Sequence, residues 1–178
     1  DVNVVYNVYL CELLGVIFIS ITGSLLHFVY DWSNKFKPFA LISAVNESTW
    51  EHLKIAFWPT LIYSLLEYAS ISEITNNFVI AKASCLIIIP LSIVFLFYSY
   101  TKILKRNYLV VDILIFILSI YFGQKISFYI LTMTQLPSFL TTLSLFIILI
   151  LIIEFSLFTF FPPKFFIFKD PTNGTYGI

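Results

Sequence analysis

Long apolar runs alternate along the chain with short polar segments. Each run reaches about 20 residues or more, the length that an α-helix needs to cross the hydrocarbon core of a bilayer. The pattern predicts an all-α fold: a polytopic transmembrane helical bundle of five spans, with residues 1–178 forming a single transmembrane domain. The predicted spans cover about residues 4–31, 48–68, 78–104, 108–133 and 138–161, and residues 162–178 form a cytoplasmic tail.

Residues 39–45, between the first and second spans, are apolar but far too short to cross a membrane. We expect a short interfacial or re-entrant segment there, which returns the chain to the membrane face where the first span ends.

The composition supports a membrane protein. The chain is 60% hydrophobic and only 11% charged, whereas about a quarter of the residues in a soluble domain are charged. The formal net charge is zero, so no nucleic-acid partner is expected. The lone cysteines Cys11 and Cys85 form no Cys-based metal motif.

Basic residues indicate the orientation, because cytoplasmic segments carry an excess of Lys and Arg. Eight of the ten fall on one predicted side, and only Lys82 and Lys125 fall on the other. The eight are Lys35, Lys37, Lys54, Lys102, Lys105, Arg106, Lys164 and Lys169. We therefore expect the N-terminus outside and the C-terminus in the cytoplasm.

Polar chemistry concentrates between His27 and Pro59. This stretch holds both histidines and all three tryptophans of the chain. His27 and Asp31 are four residues apart, so they share one face of a helix. Ser48 and Glu51 form a capping-box pattern that marks the start of the second span.

Several ionisable groups should meet near the cytoplasmic ends of the spans. Neutral imidazoles and carboxylates suit zinc or another divalent metal, so His27, Asp31 and His52 are predicted metal ligands. Glu47, Glu51 and Asp112 are predicted catalytic carboxylates, since a spare carboxylate beside metal-bound water is typical of a hydrolase. Glu154 is a further intramembrane acid, and such acids need a cation, a proton or water.

Simpler interpretations remain open for these residues. Glu51 and Glu47 could serve only the start of the second span, as capping acid and helix-dipole partner. His27 and Asp31 could form a plain i, i+4 pair. Near the outer face, a second set is predicted to form mutual salt bridges because intramembrane charges usually pair. That set is Glu12, Glu67, Lys82 and Lys125.

Five motifs are distributed along the chain: Gly23-Ser-Leu-Leu-His27-Phe28, Ala44-Val-Asn-Glu-Ser-Thr-Trp-Glu-His-Leu-Lys54, Phe57-Trp-Pro59, Val111-Asp-Ile113 and the tail from Phe168 to Ile178. On these motifs the sequence resembles a family of small bacterial and archaeal multi-pass membrane proteins, known only as a domain of unknown function. The resemblance covers nearly the whole chain. It implies a bacterial or archaeal cytoplasmic membrane, and it brings no activity, substrate or cofactor that can be carried over to this chain. It also suggests that the tail belongs to the domain, and a fold of the tail beneath the site as a lid is a hypothesis.

Three functions follow from these observations. The first is a metal-dependent, membrane-embedded hydrolase or transferase with a cytoplasm-facing His/carboxylate site. The second is a non-catalytic subunit or scaffold of a larger membrane complex. The third is a small transporter of cations, protons or solutes, for which a homodimer would supply the second half that many transporters build from repeats. Membrane lipids are expected partners in each case.

Overall fold

The computed structural model of residues 1–178 contains five α-helices and no β-strand. The helices are α1 (Val2–Trp32), α2 (Thr49–Ile71), α3 (Phe78–Leu104), α4 (Leu109–Thr132) and α5 (Ser138–Leu157). The all-α prediction is confirmed, and the helix bounds differ from the predicted spans by only a few residues.

Four of the helices, α1, α3, α4 and α5, are long and apolar enough to cross a membrane. Helix α2 has 23 residues, a spanning length at about 1.5 Å per residue, but it is less apolar. Its Glu51, Lys54 and Glu67 are each 2% exposed or less. These charged side chains therefore point into the protein, which is how intramembrane charge is normally accommodated.

Contacts between helix ends fix the up-and-down order of the bundle. At one end the hydroxyls of Thr49 and Tyr98 lie 2.7 Å apart, which joins the start of α2 to the end of α3. At the other end the Asn77 amide donates to the carbonyls of Ile130 and Thr134. The first end also holds the C-terminal segment, residues 158–178, and we call it the tail face.

Helices α1 and α2 approach each other closely at Gly23. Pro59 has no N–H, so the carbonyl four residues earlier, that of Ile55, loses its helical donor. A Cβ added at Gly23 would meet this carbonyl oxygen at 2.8 Å. Only glycine fits there, and the contact brings the two helices that carry His27 and His52 together.

The core beneath the tail face is aromatic. The ring of Phe155 stacks on Trp50 and on Phe57, with centroids 4.4 Å apart in each pair. Trp50 also packs against Phe168 of the C-terminal segment at 4.8 Å. This packing joins the N-terminal turn of α2 to α5 and the tail.

The segment between α1 and α2 begins with a short 3-10 helix, Lys37–Leu41. Ser43 then inserts against α1: its hydroxyl donates to the Leu26 carbonyl at 2.6 Å and accepts from the Tyr30 N–H at 2.8 Å. In an undisturbed α-helix those two backbone groups bond to each other. The segment thus holds the turn of α1 that carries His27.

Candidate metal site

Three side chains converge at the tail face: His27 from α1, His52 from the first turn of α2, and Glu47 from the connecting segment. Glu47 Oε2 lies 3.6 Å from His27 Nε2 and 3.7 Å from His52 Nε2. One donor atom from each residue lies within 4.8 Å of the other two. We call these residues the trio, and they are the one group of three close His, Cys, Asp or Glu side chains in the protein.

The start of α2 sets the orientation of His52. Ser48 caps the helix by accepting the Glu51 N–H through its side chain. The Ser48 carbonyl lies 2.8 Å from His52 Nδ1. Because a carbonyl only accepts, Nδ1 carries a hydrogen, which leaves Nε2, the nitrogen that faces Glu47, as the one available to a metal ion. Metal-binding histidines are usually held in this way.

His27 is held by packing rather than by a hydrogen bond. Its ring lies 4.8 Å from the Phe28 ring and 5.2 Å from the His52 ring. Its Nδ1 is buried without a hydrogen-bond partner. Only Nε2 therefore has a polar neighbour, and that neighbour is Glu47.

The C-terminal tail positions Glu47. The Asp170 carboxylate accepts the Glu47 backbone N–H at 3.2 Å, and the Gly177 carbonyl accepts from the neighbouring Asn46 amide at 3.1 Å. The interaction with His27 holds the pKa of the Glu47 carboxyl below its usual value, against its partial burial. Glu47 is therefore a carboxylate at neutral pH.

The Asp170 carboxylate accepts several of the hydrogen bonds that hold the tail in place. Burial of its carboxyl opposes ionisation, but hydrogen bonds from the Thr172 hydroxyl and backbone and from the Glu47 backbone outweigh this and lower its pKa. A turn closes around it, with the Gly174 N–H donating to the Asp170 carbonyl at 2.8 Å. Gly174 has a φ of +76°, which favours glycine. The tail thus folds back against the segment beside the trio.

Glu51, a predicted catalytic carboxylate, has a different environment from Glu47. It is 2% exposed, forms an ion pair with Lys54 and accepts from the Thr159 hydroxyl at 2.8 Å. It also accepts the Val45 N–H at 3.2 Å rather than completing the capping box. Lys54 donates to Thr159 and to the Ala40 carbonyl. This network lies under the trio and joins α2, the connecting segment and the tail.

The remaining predicted site residues lie outside the trio. Asp31 is exposed on α1, one turn beyond His27, and is not part of the group of three. Asp112 accepts hydrogen bonds from Tyr100 and Asn107, in the connection of α3 to α4. Glu154 is partly buried on α5, and its side chain forms neither a hydrogen bond nor an ion pair.

Three positioning residues had no predicted role: Ser43, Thr159 and Asp170. Ser43 and Thr159 are single hydroxyl residues with no distinguishing sequence pattern. Asp170 had a usable signal, because Asp-x-Thr at 170–172 and Asn-x-Thr at 173–175 are typical of side-chain-capped turns. That signal indicates a turn, and it does not reveal the contact with Glu47.

The donor set suits zinc. Two imidazole nitrogens and one carboxylate, with a fourth position open, form the ligand pattern of several catalytic zinc sites. Donors about 2.0–2.1 Å from a tetrahedral ion lie about 3.3 Å from each other. The two nitrogen–oxygen separations exceed this by only a few tenths of an ångström, and all three donor atoms lie within 4.8 Å of one another.

A family model matches residues 4–178 of the chain, and the chain belongs to that family, described as Family of unknown function (DUF6512). Searches of curated proteins and of solved structures each found no match. The family carries no assigned activity. Together with the apolar helices, it defines a membrane protein of unknown function, and the geometry of the tail face is the basis for any functional proposal.

Proposed function

We propose that this protein is a metal-dependent, membrane-embedded hydrolase or transferase, whose divalent ion is held by His27, Glu47 and His52. The observation that carries the proposal is the convergence of three donor atoms within 4.8 Å. The hydrogen bond of His52 Nδ1 to a backbone carbonyl supports it further. An ion bound there would supply a nucleophilic water and polarise the substrate.

The residues of the chain then divide by role. His27, Glu47 and His52 bind and orient the ion, and their partly exposed side chains leave it open to a substrate. Glu51 is committed to Lys54 and Thr159, so it supports the site rather than accepting a proton. Asp31 is exposed and one turn from His27, and we assign it as proton acceptor.

The surroundings of the trio favour an amphiphilic substrate. Trp32 is 67% exposed and stacks on Phe28, with the rings 5.5 Å apart. Lys35 and Lys37 follow in an exposed loop. Such a surface suits an apolar chain in the membrane and an anionic head group at its surface. A phospholipid or a membrane-associated peptide is the substrate class to screen first.

We also propose that the tail face lies in the cytoplasm. Lys54 and Lys82 are buried in ion pairs, so neither is a topology signal. Seven exposed or partly exposed Lys and Arg remain on the tail face, against Lys125 on the opposite side. The bias is stronger than the sequence count indicates.

Metal analysis tests the proposal. Protein purified in detergent without added metal, then exposed to zinc and dialysed, should retain about one zinc per chain. His27→Ala, His52→Ala and Glu47→Gln should each lose it. Asp31→Asn is the matched control, because it should retain zinc and lose only turnover of the substrate. Absence of zinc from the wild-type protein, or equal zinc in all variants, would overturn the proposal.

A further inference from the structure

Inside the bundle lies a second cluster of ionisable groups, which we call the buried triad: Glu12 of α1, Glu67 of α2 and Lys82 of α3. Lys82 Nζ lies 2.6 Å from Glu12 Oε1 and 2.5 Å from Glu67 Oε2. The three residues are 3%, 1% and 2% exposed, respectively. A single buried ammonium group thus lies between two buried carboxyl groups.

The triad has one base for two acids. Lys125, from the neighbouring α4, is exposed, and its ammonium group lies over the Tyr121 ring at 5.6 Å. The other titratable side chains around the triad are Cys11, Tyr63 and Cys85, and none of them is cationic. With both carboxyls ionised, the triad would hold a net negative charge in a low-dielectric interior, which is strongly unfavourable.

The hydrogen bonds show which carboxylate oxygens of the triad lack a donor. Glu12 Oε1 accepts from Lys82 and from the Ser127 hydroxyl, at 2.6 and 2.8 Å. Glu12 Oε2 and Glu67 Oε1 are buried and have no hydrogen-bond partner. An ionised carboxylate oxygen in that position would lack any donor, whereas protonation removes the charge and makes that oxygen an O–H donor.

From this geometry we propose that Glu12 and Glu67 form a proton-binding site that holds one proton at neutral pH. Water supplies the proton, which bonds to one carboxylate oxygen of the pair. The triad then changes from a net charge of −1 to zero. The proton belongs to the pair, because either carboxyl can form the ion pair with Lys82 while the other carries it.

A cavity borders the Glu12 side of the site. A space of about 60 Å³ is lined by Glu12, Gln124 and Lys125, among others. Holding a water molecule takes roughly 10–15 Å³ of such space. A wider space of about 500 Å³ shares Tyr9 and Phe128 with it and reaches Asp1. Glu12 therefore borders a space that is large enough to hold water.

Infrared spectroscopy tests the proposal, since a protonated carboxyl has its own carbonyl stretch that shifts in D2O. At neutral pH, Glu67→Gln should lose one protonated carboxyl relative to wild type. Glu12→Gln should also lose one, and the double variant should lose no more than one. Lys82→Met should gain one, because both acids must then be neutral. Glu73→Gln, which removes an exposed acid, is the control and should change nothing.

Each outcome decides the proposal. A loss of one protonated carboxyl in both single variants, without a further loss in the double variant, supports a shared proton. An unchanged spectrum in the folded single variants overturns it, and so does a loss of two in the double variant. If Lys82→Met fails to fold, the two glutamine variants and their double variant decide alone. Glutamine is close in shape to the protonated acid and should preserve the fold.

Discussion

Two clusters of ionisable side chains lie in the same helical bundle: the trio at the tail face, and the buried triad in the interior. The side chains of the trio are 27–51% exposed, while the triad residues are at most 3% exposed. The trio has two imidazoles and a carboxylate, whose nitrogen–oxygen separations of 3.6 and 3.7 Å leave room for an ion. The triad is in direct contact at 2.5–2.6 Å.

The comparison separates two uses of charge in a membrane protein. Partly hydrated groups with spare lone pairs are suited to bind a ligand from outside, and breaking them costs little folding energy. Fully buried groups in direct contact hold the helices in one arrangement, and they tolerate only the proton count that keeps them neutral. Variants that affect one cluster and spare the other test this distinction.

The largest effect is expected when the triad loses its base. Lys82→Met leaves two buried carboxyls without a cation, and breaking a buried ion pair costs about 3–5 kcal/mol. We expect the free energy of unfolding, measured by denaturant titration in detergent at neutral pH, to fall by that amount. The loss should shrink at acid pH, where the carboxyls protonate more readily. Lys125→Met, at an exposed lysine, should change the value by about 0.5 kcal/mol or less. Equal values for the two variants would contradict a structural role for Lys82.

The sequence was sufficient for the helices but insufficient for the partners of each charge. Apolar runs bounded by polar turns define spans such as 78–104, which the structure has as Phe78–Leu104. The predicted position of each residue along its span also placed His27 and His52 at the same end of the bundle. Depth does not tell which way a side chain points. Lys125 was therefore predicted to pair with the same acids as Lys82. In the structure Lys125 is exposed, and only Lys82 forms ion pairs with Glu12 and Glu67.

The same limit applies to the carboxylates of the site. Glu47 and Glu51 are four residues apart, and the sequence gives both a plausible role. What separates them is a contact made more than a hundred residues away, where Thr159 binds Glu51 and Asp170 binds the backbone of Glu47. Such long-range contacts follow from the packing of the tail, and no local pattern encodes them.

Zinc should stabilise the trio without involving the triad. At a free concentration 100-fold above its dissociation constant, a ligand that binds only the folded state adds about 2.7 kcal/mol to the free energy of unfolding. We expect this gain in the wild-type protein and in Glu67→Gln, and none in His52→Ala. The same denaturant titration, with zinc and with chelator, measures it. Loss of the gain in Glu67→Gln would mean that the two clusters are coupled.

Removal of the Asp170 carboxylate should weaken both folding and metal binding. Asp170→Ala leaves the Glu47 N–H and the Thr172 donors without their acceptor, at a cost of about 1–3 kcal/mol. Loss of a group that orients a metal ligand typically lowers affinity by about 10-fold or more. Denaturant titration and zinc competition with a chelator measure the two effects.

Asn173→Ala is the matched control for that variant. Asn173 accepts from the backbone and hydroxyl of Thr175 in the same turn, but neither contact reaches Glu47. It should destabilise the tail and leave zinc affinity unchanged. A similar loss of affinity in both variants would show that the tail acts through its general stability rather than through Asp170.

The smallest effect on the free energy of unfolding should come from replacing Glu47 when no metal is bound. His27 lowers the pKa of Glu47. The ionised Glu47 therefore stabilises the fold at pH values above the ordinary glutamate pKa of about 4.3. This stabilisation is lost as the pH falls through the lower folded value. With chelator present, wild type should exceed Glu47→Gln by under about 1 kcal/mol near pH 5.5, since partly exposed ion pairs contribute little. The difference should diminish toward pH 3, where Glu47 becomes protonated. A difference that stays constant across this range would show that Glu47 acts through packing, and its ionic contact with the histidines would then contribute nothing to folding.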